Sequence, residues 1–288
     1  MNPVGGSPAL TIFATPKAFR GHFDIIQRNA ITSWIKLGVS VILMGDDAGG
    51  PEVAREFGIR HIGGIASFSS GAPRLDELFS KAENEVTSGL LCYVNADIMM
   101  TDDILRAAGR VAATSPMMMI GRRWDVNITE AWDFSGDWQA RLRQFAYGTG
   151  KDCGAGAIDY FLFSRGLGRN LLPLALGRTR WDHYLVSNAY RRGATVYDAT
   201  DAVLAVHQNH DYSHHPGGTR GVWGGEEAEH NRRQIGRSWR MMTLDDVRLR
   251  LTTTGVERNY GHIWRDVSFS WRHPSSFAQS IVRSIRGR

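Results

Sequence analysis

The chain has 288 residues, enough for one large or two small domains with a sizeable hydrophobic core. Hydrophobic residues make up 42% and charged residues 22%, which is typical of a soluble globular protein, and no apolar run approaches the roughly 18 residues of a membrane span. The net charge of +5 suits an anionic ligand, but arginines are spread along the chain and no recognition motif points to nucleic acid.

The first residues and the cysteines suggest a reducing compartment. The N-terminal segment lacks the basic stretch and apolar run of a signal peptide. Cys92 and Cys153 have no metal-like spacing, so we expect free thiols in a cytoplasmic protein.

The first half alternates short apolar runs with helical patterns. Strands are predicted over residues 9–15, 39–44, 59–62 and 90–100, and helices over 22–37, 51–57 and 73–81. This alternation predicts an α/β fold with an open, mostly parallel sheet and helices on both faces.

The second half is less regular. Strands are predicted over 117–120, 154–163, 195–198 and 203–206, and helices over 138–145, 180–192 and 226–250. The basic tail, 275–288, has apolar residues at helical spacing. It can form a surface helix or a frayed terminus, or make a peripheral contact with an anionic membrane.

The segment 90–100 organises the candidate site. An apolar run leads into Asn95-Ala96-Asp97 and then becomes apolar again. A carboxylate is costly inside a buried strand, so we expect Asp97 at the strand's carboxyl end, where open α/β sheets bind ligands. Mg²⁺ and Mn²⁺ prefer oxygen ligands and phosphates, which makes Asp97 a candidate metal ligand; the alternative is a cap of the following helix.

Four motifs in order resemble those of GT-A glycosyltransferases, which use nucleotide-sugars. Thr15-Pro16-Lys17 follows the first strand, Asp46-Asp47 follows the second, Asn95-Ala96-Asp97 stands in place of D-x-D, and Trp181-Asp182 begins a later helix. The resemblance covers roughly residues 9–215 and departs from the D-x-D pattern at Asn95.

The resemblance implies a GT-A type, Rossmann-like fold in one glycosyltransferase domain. The nucleotide-binding half would span about residues 9–110, the acceptor-binding half about 111–250, and a basic extension 251–288. The residues expected to contact the nucleotide are Thr15, Lys17, Asp46, Asp47, Arg74 and Asn95.

The same resemblance assigns metal and catalytic roles. His207 would join Asp97 around Mn²⁺ or Mg²⁺, with His210 and Asp211 as further candidates; the alternative is a polar loop. Asp182 would be the general base of an inverting transfer, or else only a first-turn acid of its helix. The residues expected at the acceptor are Asp159, Tyr160 and Trp181.

The predicted function is therefore a hexosyltransferase-type reaction. A sugar would move from a nucleoside-diphosphate sugar to a hydroxyl of a glycan or glycoconjugate during its biosynthesis. A sugar nucleotidyltransferase and a non-catalytic nucleotide- or glycan-binding protein remain alternatives. A dinucleotide-dependent dehydrogenase is disfavoured, because no G-x-G-x-x-G follows the first strand.

Overall fold

A computed structural model describes residues 9–87, 89–211, 218–237 and 239–260. The first half of this part runs β1 (Leu10–Ala14), α1 (Gly21–Lys36), β2 (Ser40–Met44), α2 (Gly50–Phe57), β3 (Arg60–Ile62), α3 (Leu75–Glu85), β4 (Leu90–Val94), β5 (Ile98–Met100) and α4 (Asp103–Val111). Next come β6 (Met117–Val126), α5 (Trp138–Thr149), β7 (Lys151–Asp152), β8 (Ile158–Ser164), α6 (Trp181–Arg191), β9 (Thr195–Asp198) and β10 (Ala205–Gln208). The remainder comprises α7 (Gly218–Gly224), α8 (Glu226–Ile235), a 3₁₀ helix (Leu244–Asp246), β11 (Leu249–Leu251) and β12 (Val256–Arg258).

One open sheet runs through the described part of the chain. Its main path has the order β12-β11-β9-β6-β8-β4-β1-β2-β3. The pairs β3–β2, β2–β1, β1–β4, β6–β9 and β9–β11 are parallel, whereas β8 lies antiparallel between β4 and β6. The predicted α/β class with a mostly parallel sheet is confirmed, and this is the architecture that the GT-A resemblance implies.

Helices cover both faces of the sheet. Because side chains alternate along a strand, Phe13 and Tyr93 pack on one face with α3 and α6. Ile12 and Cys92 pack on the other face with α1 and α4. The strands are therefore apolar on both sides, which is why their sequences read as continuous apolar runs.

A branch of the sheet brings distant polar residues to the end of β4. Strand β6 is ten residues long: its first part pairs with β9, and its second part pairs in parallel with β10. Strand β10 also pairs antiparallel with β5, with His207 opposite Ile98. The register of β6 shifts between Ile120 and Arg122. The glycine between them is required, since a Cβ there would clash with the Tyr160 hydroxyl.

Several element boundaries differ from the sequence prediction. The predicted strand 90–100 is two strands, because Asn95 turns the chain through a bond from the Ile98 amide to its carbonyl. Strand 117–120 continues to Val126. The sequence did not indicate this continuation, because the second half of the strand is polar. The helix predicted over 226–250 ends at Ile235, where Gly236 has a φ of 67°.

Two further expectations concern membranes. Among the described residues, none of the helices combines the length and apolar character that crossing a membrane requires. The tail 275–288, expected to be a surface helix or a membrane contact, lies outside the described residues.

Candidate functional site

A cleft of about 590 Å³ opens at the carboxyl ends of β1, β2 and β4. Its walls come from the segments that follow these strands and from the loops before α3 and α6. Ligands of open α/β sheets bind at this end of the strands. Five of the residues predicted from the sequence line the cleft together: Thr15, Lys17, Asp47, Asn95 and Asp97.

A candidate metal-binding group lies at one side of this cleft. Asp97, His207 and His210 offer ligand atoms that all lie within 4.8 Å of one another. Nε2 of His210 is 3.1 Å from Oδ2 of Asp97, and Nε2 of His207 is 3.9 Å from the same oxygen. The other oxygen of Asp97, Oδ1, is buried without a hydrogen-bond partner. Two imidazoles and a buried carboxylate fit a divalent transition metal such as Mn²⁺ better than Mg²⁺.

The sequence prediction of this group was close but incomplete. Asp97 and His207 are brought together as predicted, although His207 lies inside β10 and not after it. Asp97 lies in the turn between β4 and β5, and α4 begins only at Asp103, so Asp97 does not cap that helix. His210, only a further candidate in the sequence, lies closer to Asp97 than His207 does.

The charges in this group stabilise one another. Burial alone would raise the pKa of Asp97, but His207, His210 and Lys17 hold it well below its ordinary value. Burial lowers the pKa of His207, yet Asp97 and Asp125 outweigh this effect and raise that pKa above 6.5. A metal ion bound at this group would compete with a proton for His207.

Lys17 is a half-buried cation in the cleft. Its backbone amide donates to Oε1 of Gln27 (2.6 Å), and Nε2 of Gln27 donates back to the Lys17 carbonyl (2.9 Å). Its Nζ lies 5.1 Å from the centre of the Phe23 ring. Burial lowers the pKa of Lys17, while Asp97 and Asp47 oppose this shift. An anionic ligand that contacts Lys17 would compensate for the burial of its charge.

Arg178 supplies a second cation that the sequence analysis missed. It lines the cleft, its Nε donates to Oε2 of Glu227 in α8 (2.7 Å), and its Nη2 donates to Oγ of Ser70 (3.0 Å). Its charge contributes to the lowered pKa of Lys17, so the two cations act on the same region. The sequence shows several arginines before α6, but nothing in their spacing indicates which one faces the cleft.

Asp159 is part of a polar network and not a free acceptor contact. Nδ2 of Asn95 donates to Oδ1 of Asp159, and Nη1 of Arg123 donates to Oδ2 of Asp159 at 2.8 Å. Nε of Arg123 lies 2.9 Å from Oδ1 of Asp125. Both oxygens of Asp159 are therefore occupied in positioning Asn95 and Arg123.

Besides Asp159, His207 and Asp182, four other predicted residues do not line the cleft. Asp46 accepts from the amide of Gly64, and Arg74 pairs with Asp76 at the start of α3. Tyr160 is wholly buried in the core formed with α1 and α4, so the structure does not bring it to the cleft. Trp181 is buried in the opposite core, with its ring 5.5 Å from those of Tyr93 and Phe161.

Asp182 is the second residue of α6. Its Oδ1 accepts from the amide of His183 (2.8 Å), a contact that a first-turn acid also makes. Burial raises its pKa, and the nearby charge of Asp159 adds to this rise. Asp182 does not line the cleft itself. Its carboxylate interacts electrostatically with that of Asp159, which accepts a hydrogen bond from Asn95 in the cleft wall.

Comparisons with known proteins give limited similarity. A scan against protein-family models and a search of curated proteins each find no match to this sequence. The solved structure of GalNAc-T7 with UDP, GalNAc and Mn²⁺ is 13% identical, with a TM-score of 0.48 over 80% of this chain and 48% of that one. S. aureus TarS 1-349 in complex with UDP-GlcNAc is 10% identical, with a TM-score of 0.46 over 70% of this chain and 59% of that one. This chain thus spans less than two thirds of either solved chain, and neither likeness identifies its activity.

Proposed function

We propose that the protein is a glycosyltransferase of the GT-A type, which moves a sugar from a nucleoside-diphosphate sugar to a hydroxyl of a glycan or glycoconjugate. The observation that carries this proposal is one cleft that combines a divalent-cation ligand set with two cationic side chains, Lys17 and Arg178. A diphosphate bound to a divalent metal ion needs both, since the metal and cationic side chains share the neutralisation of its charge.

The sugar donor would occupy the cleft with its diphosphate beside Asp97. Asp97, His207 and His210 would hold Mn²⁺ or Mg²⁺, which when bound stabilises negative charge on the leaving diphosphate. Lys17 and Arg178 would bind phosphate oxygens from the other side.

The nucleoside would lie farther along the cleft, towards the end of β2. Oγ1 of Thr15 is buried without a hydrogen-bond partner, so a nucleoside hydroxyl or carbonyl can pair with it. Asp47 lies in the same wall, and burial raises the pKa of its carboxyl group. Hydrogen bonds from base N–H or ribose O–H groups would stabilise its ionised form.

Asp182 would act as the general base of an inverting transfer. The acceptor oxygen would form a bond to the anomeric carbon while the bond from that carbon to the diphosphate breaks, and the acceptor proton would pass to Asp182. The raised pKa of Asp182 makes it a stronger proton acceptor than an exposed aspartate.

A second candidate function is nucleotide or glycan binding without transfer. Two observations favour it: Asn95 stands where the resemblance expects an aspartate, and Asp182 does not line the cleft. In that case the cleft would bind a nucleotide and metal without a base near the acceptor.

A turnover assay separates these candidates. The purified protein is incubated with UDP- and GDP-sugars, Mn²⁺ or Mg²⁺, and a panel of glycan acceptors, and released nucleoside diphosphate is measured. The glycosyltransferase proposal predicts metal-dependent release that increases with an acceptor. Binding of a nucleotide or a glycan without release for any acceptor would favour the binding protein, and the absence of both nucleotide and glycan binding would contradict both candidates.

A further inference from the structure

Strand β6 places a carboxylate beside the far nitrogen of a candidate metal ligand. The parallel pairing of β6 with β10 sets Asp125 opposite His207, with Nδ1 of His207 2.9 Å from Oδ1 of Asp125. The His207 side chain is only 9% exposed, so few other groups can reach that nitrogen.

The two ring nitrogens of His207 thus face two different carboxylates. Nδ1 lies beside Asp125, while Nε2 lies towards Asp97, at 3.9 Å from its Oδ2. A neutral imidazole carries its proton on one nitrogen and a lone pair on the other. A carboxylate at Nδ1 favours the proton there and leaves the lone pair on Nε2, which is the nitrogen directed to the metal group.

Arg123 forms an ion pair with Asp125. Its Nε lies 2.9 Å from Oδ1 of Asp125, and its Nη1 donates to Oδ2 of Asp159. Asp159 in turn accepts from Asn95, which lines the cleft. One guanidinium therefore lies between the carboxylate beside His207 and the carboxylate beside Asn95.

We propose that Asp125, held by Arg123, is a positioning residue that selects the metal-binding tautomer of His207. Through Asp159 the same arginine orients Asn95, so His207 and Asn95 share one support. This inference rests on the proposed function, because it concerns the same metal group. None of its three supporting residues, Arg123, Asp125 and Asp159, belongs to a motif that suggested the metal site.

The first test measures Mn²⁺ binding without nucleotide. Free Mn²⁺ is followed by electron paramagnetic resonance during titration of the full chain, at mildly alkaline pH, for wild type, Asp125→Asn and Asp152→Asn. Asp152 is a matched control, because it pairs with Arg122 at 2.8 Å in the neighbouring strand and its loss removes the same charge. We expect Asp125→Asn to weaken Mn²⁺ binding by about 10- to 100-fold and Asp152→Asn to leave it nearly unchanged.

The second test reads the tautomer directly and needs no metal. Long-range ¹H–¹⁵N NMR of the metal-free protein, recorded at a pH where the His207 ring is neutral and with His207 assigned by comparison with His207→Gln, reports which ring nitrogen carries the proton. We expect the proton on Nδ1 in wild type and in Asp152→Asn, and a shift towards Nε2 in Asp125→Asn, with circular dichroism confirming the fold.

The outcomes distinguish this inference from the proposed function. An unchanged tautomer together with Mn²⁺ affinity within twofold of wild type in Asp125→Asn would overturn the role of Asp125 while leaving the metal site intact. An equal loss of affinity in Asp152→Asn would also overturn it, since the effect would then be one of charge alone. If the wild-type protein binds no Mn²⁺ while Asp125→Asn still shifts the tautomer of His207, the metal site is contradicted. The positioning of His207 by Asp125 is then still supported.

Discussion

Lys17 and Gln27 are joined by two hydrogen bonds that run in opposite directions. The amide of Lys17 donates to Gln27, and the side-chain amide of Gln27 donates to the carbonyl of Lys17. The loop after β1 is thereby fixed to α1, and Lys17 is held at the cleft. The position of Lys17 thus depends on Gln27, which does not need to contact the phosphate of a bound nucleotide.

Removing this link should weaken nucleotide binding. Gln27→Ala leaves two backbone groups of Lys17 without their partners, which costs about 1–3 kcal/mol of unfolding free energy for each buried group. We expect a lower thermal midpoint and weaker binding of nucleoside diphosphate, measured by calorimetry. Gln139→Ala is the control, because Gln139 accepts from the amide of Asp102 away from the cleft. Equal diphosphate affinity in the two variants would argue against the role of Gln27.

The charge of Lys17 should act on phosphate and not on the nucleoside. Lys17→Met keeps most of the apolar stem and removes one charge-assisted contact, so diphosphate affinity should fall about 10- to 100-fold. Affinity for the free nucleoside should stay the same. Lys81→Met serves as control, since Lys81 pairs with Glu77 outside the cleft. A parallel loss of nucleoside and diphosphate binding would mean that Lys17 supports the cleft only structurally.

Asp182→Asn should separate catalysis from donor binding. Asparagine keeps the size of the side chain but cannot take the acceptor proton, so transfer in a single turnover should fall by about 10²- to 10⁴-fold. Donor affinity should change little. Asp137→Asn provides a matched control, because Asp137 caps α5 through a bond from the Ala140 amide. Near-normal transfer in Asp182→Asn would exclude it as the base and remove the main support for inversion.

The raised pKa of Asp182 sets the sign of two pH effects. Only the carboxylate accepts a proton, so kcat/KM should fall as pH decreases through a pKa above 3.8, and added Mn²⁺ should not reverse this fall. The pKa of Asp182 is higher in the folded protein than in the unfolded protein, so protonated Asp182 stabilises the fold. This contribution is fully present below the unfolded-state pKa and is lost as pH rises through the folded-state pKa. Asp182→Asn should therefore be at least as stable as wild type at neutral pH, as tested by urea denaturation. Clear destabilisation there would indicate a structural carboxylate.

The sequence predicted the sheet well because its strands are buried on both faces. Continuous apolar runs and helical spacing were enough to define β1 to β4 and the helices between them. They could not define β6 beyond Ile120, since its polar residues serve the site and not the core.

The predicted residues that line the cleft all follow an apolar strand. Asp97 gave that signal, whereas Arg123 and Asp125 lie within a strand and Gln27 lies within a helix. Asp159 and Tyr160 are neighbours, and the twofold alternation of β8 directs one to the polar network and the other into the core. Adjacent residues of a strand cannot both face one pocket, and the sequence does not tell which one does.

The most direct test of the metal and diphosphate site is calorimetric titration of wild type and Asp97→Asn with UDP and GDP. Each titration is run with Mn²⁺ and again with EDTA, and Asp102→Asn, which lies in an exposed ion pair with Arg106, is the control. We predict that wild type and Asp102→Asn bind nucleoside diphosphate tightly only with Mn²⁺, and that Asp97→Asn loses this metal-dependent binding while remaining folded. Binding that is the same with EDTA, or unchanged in Asp97→Asn, would contradict the account.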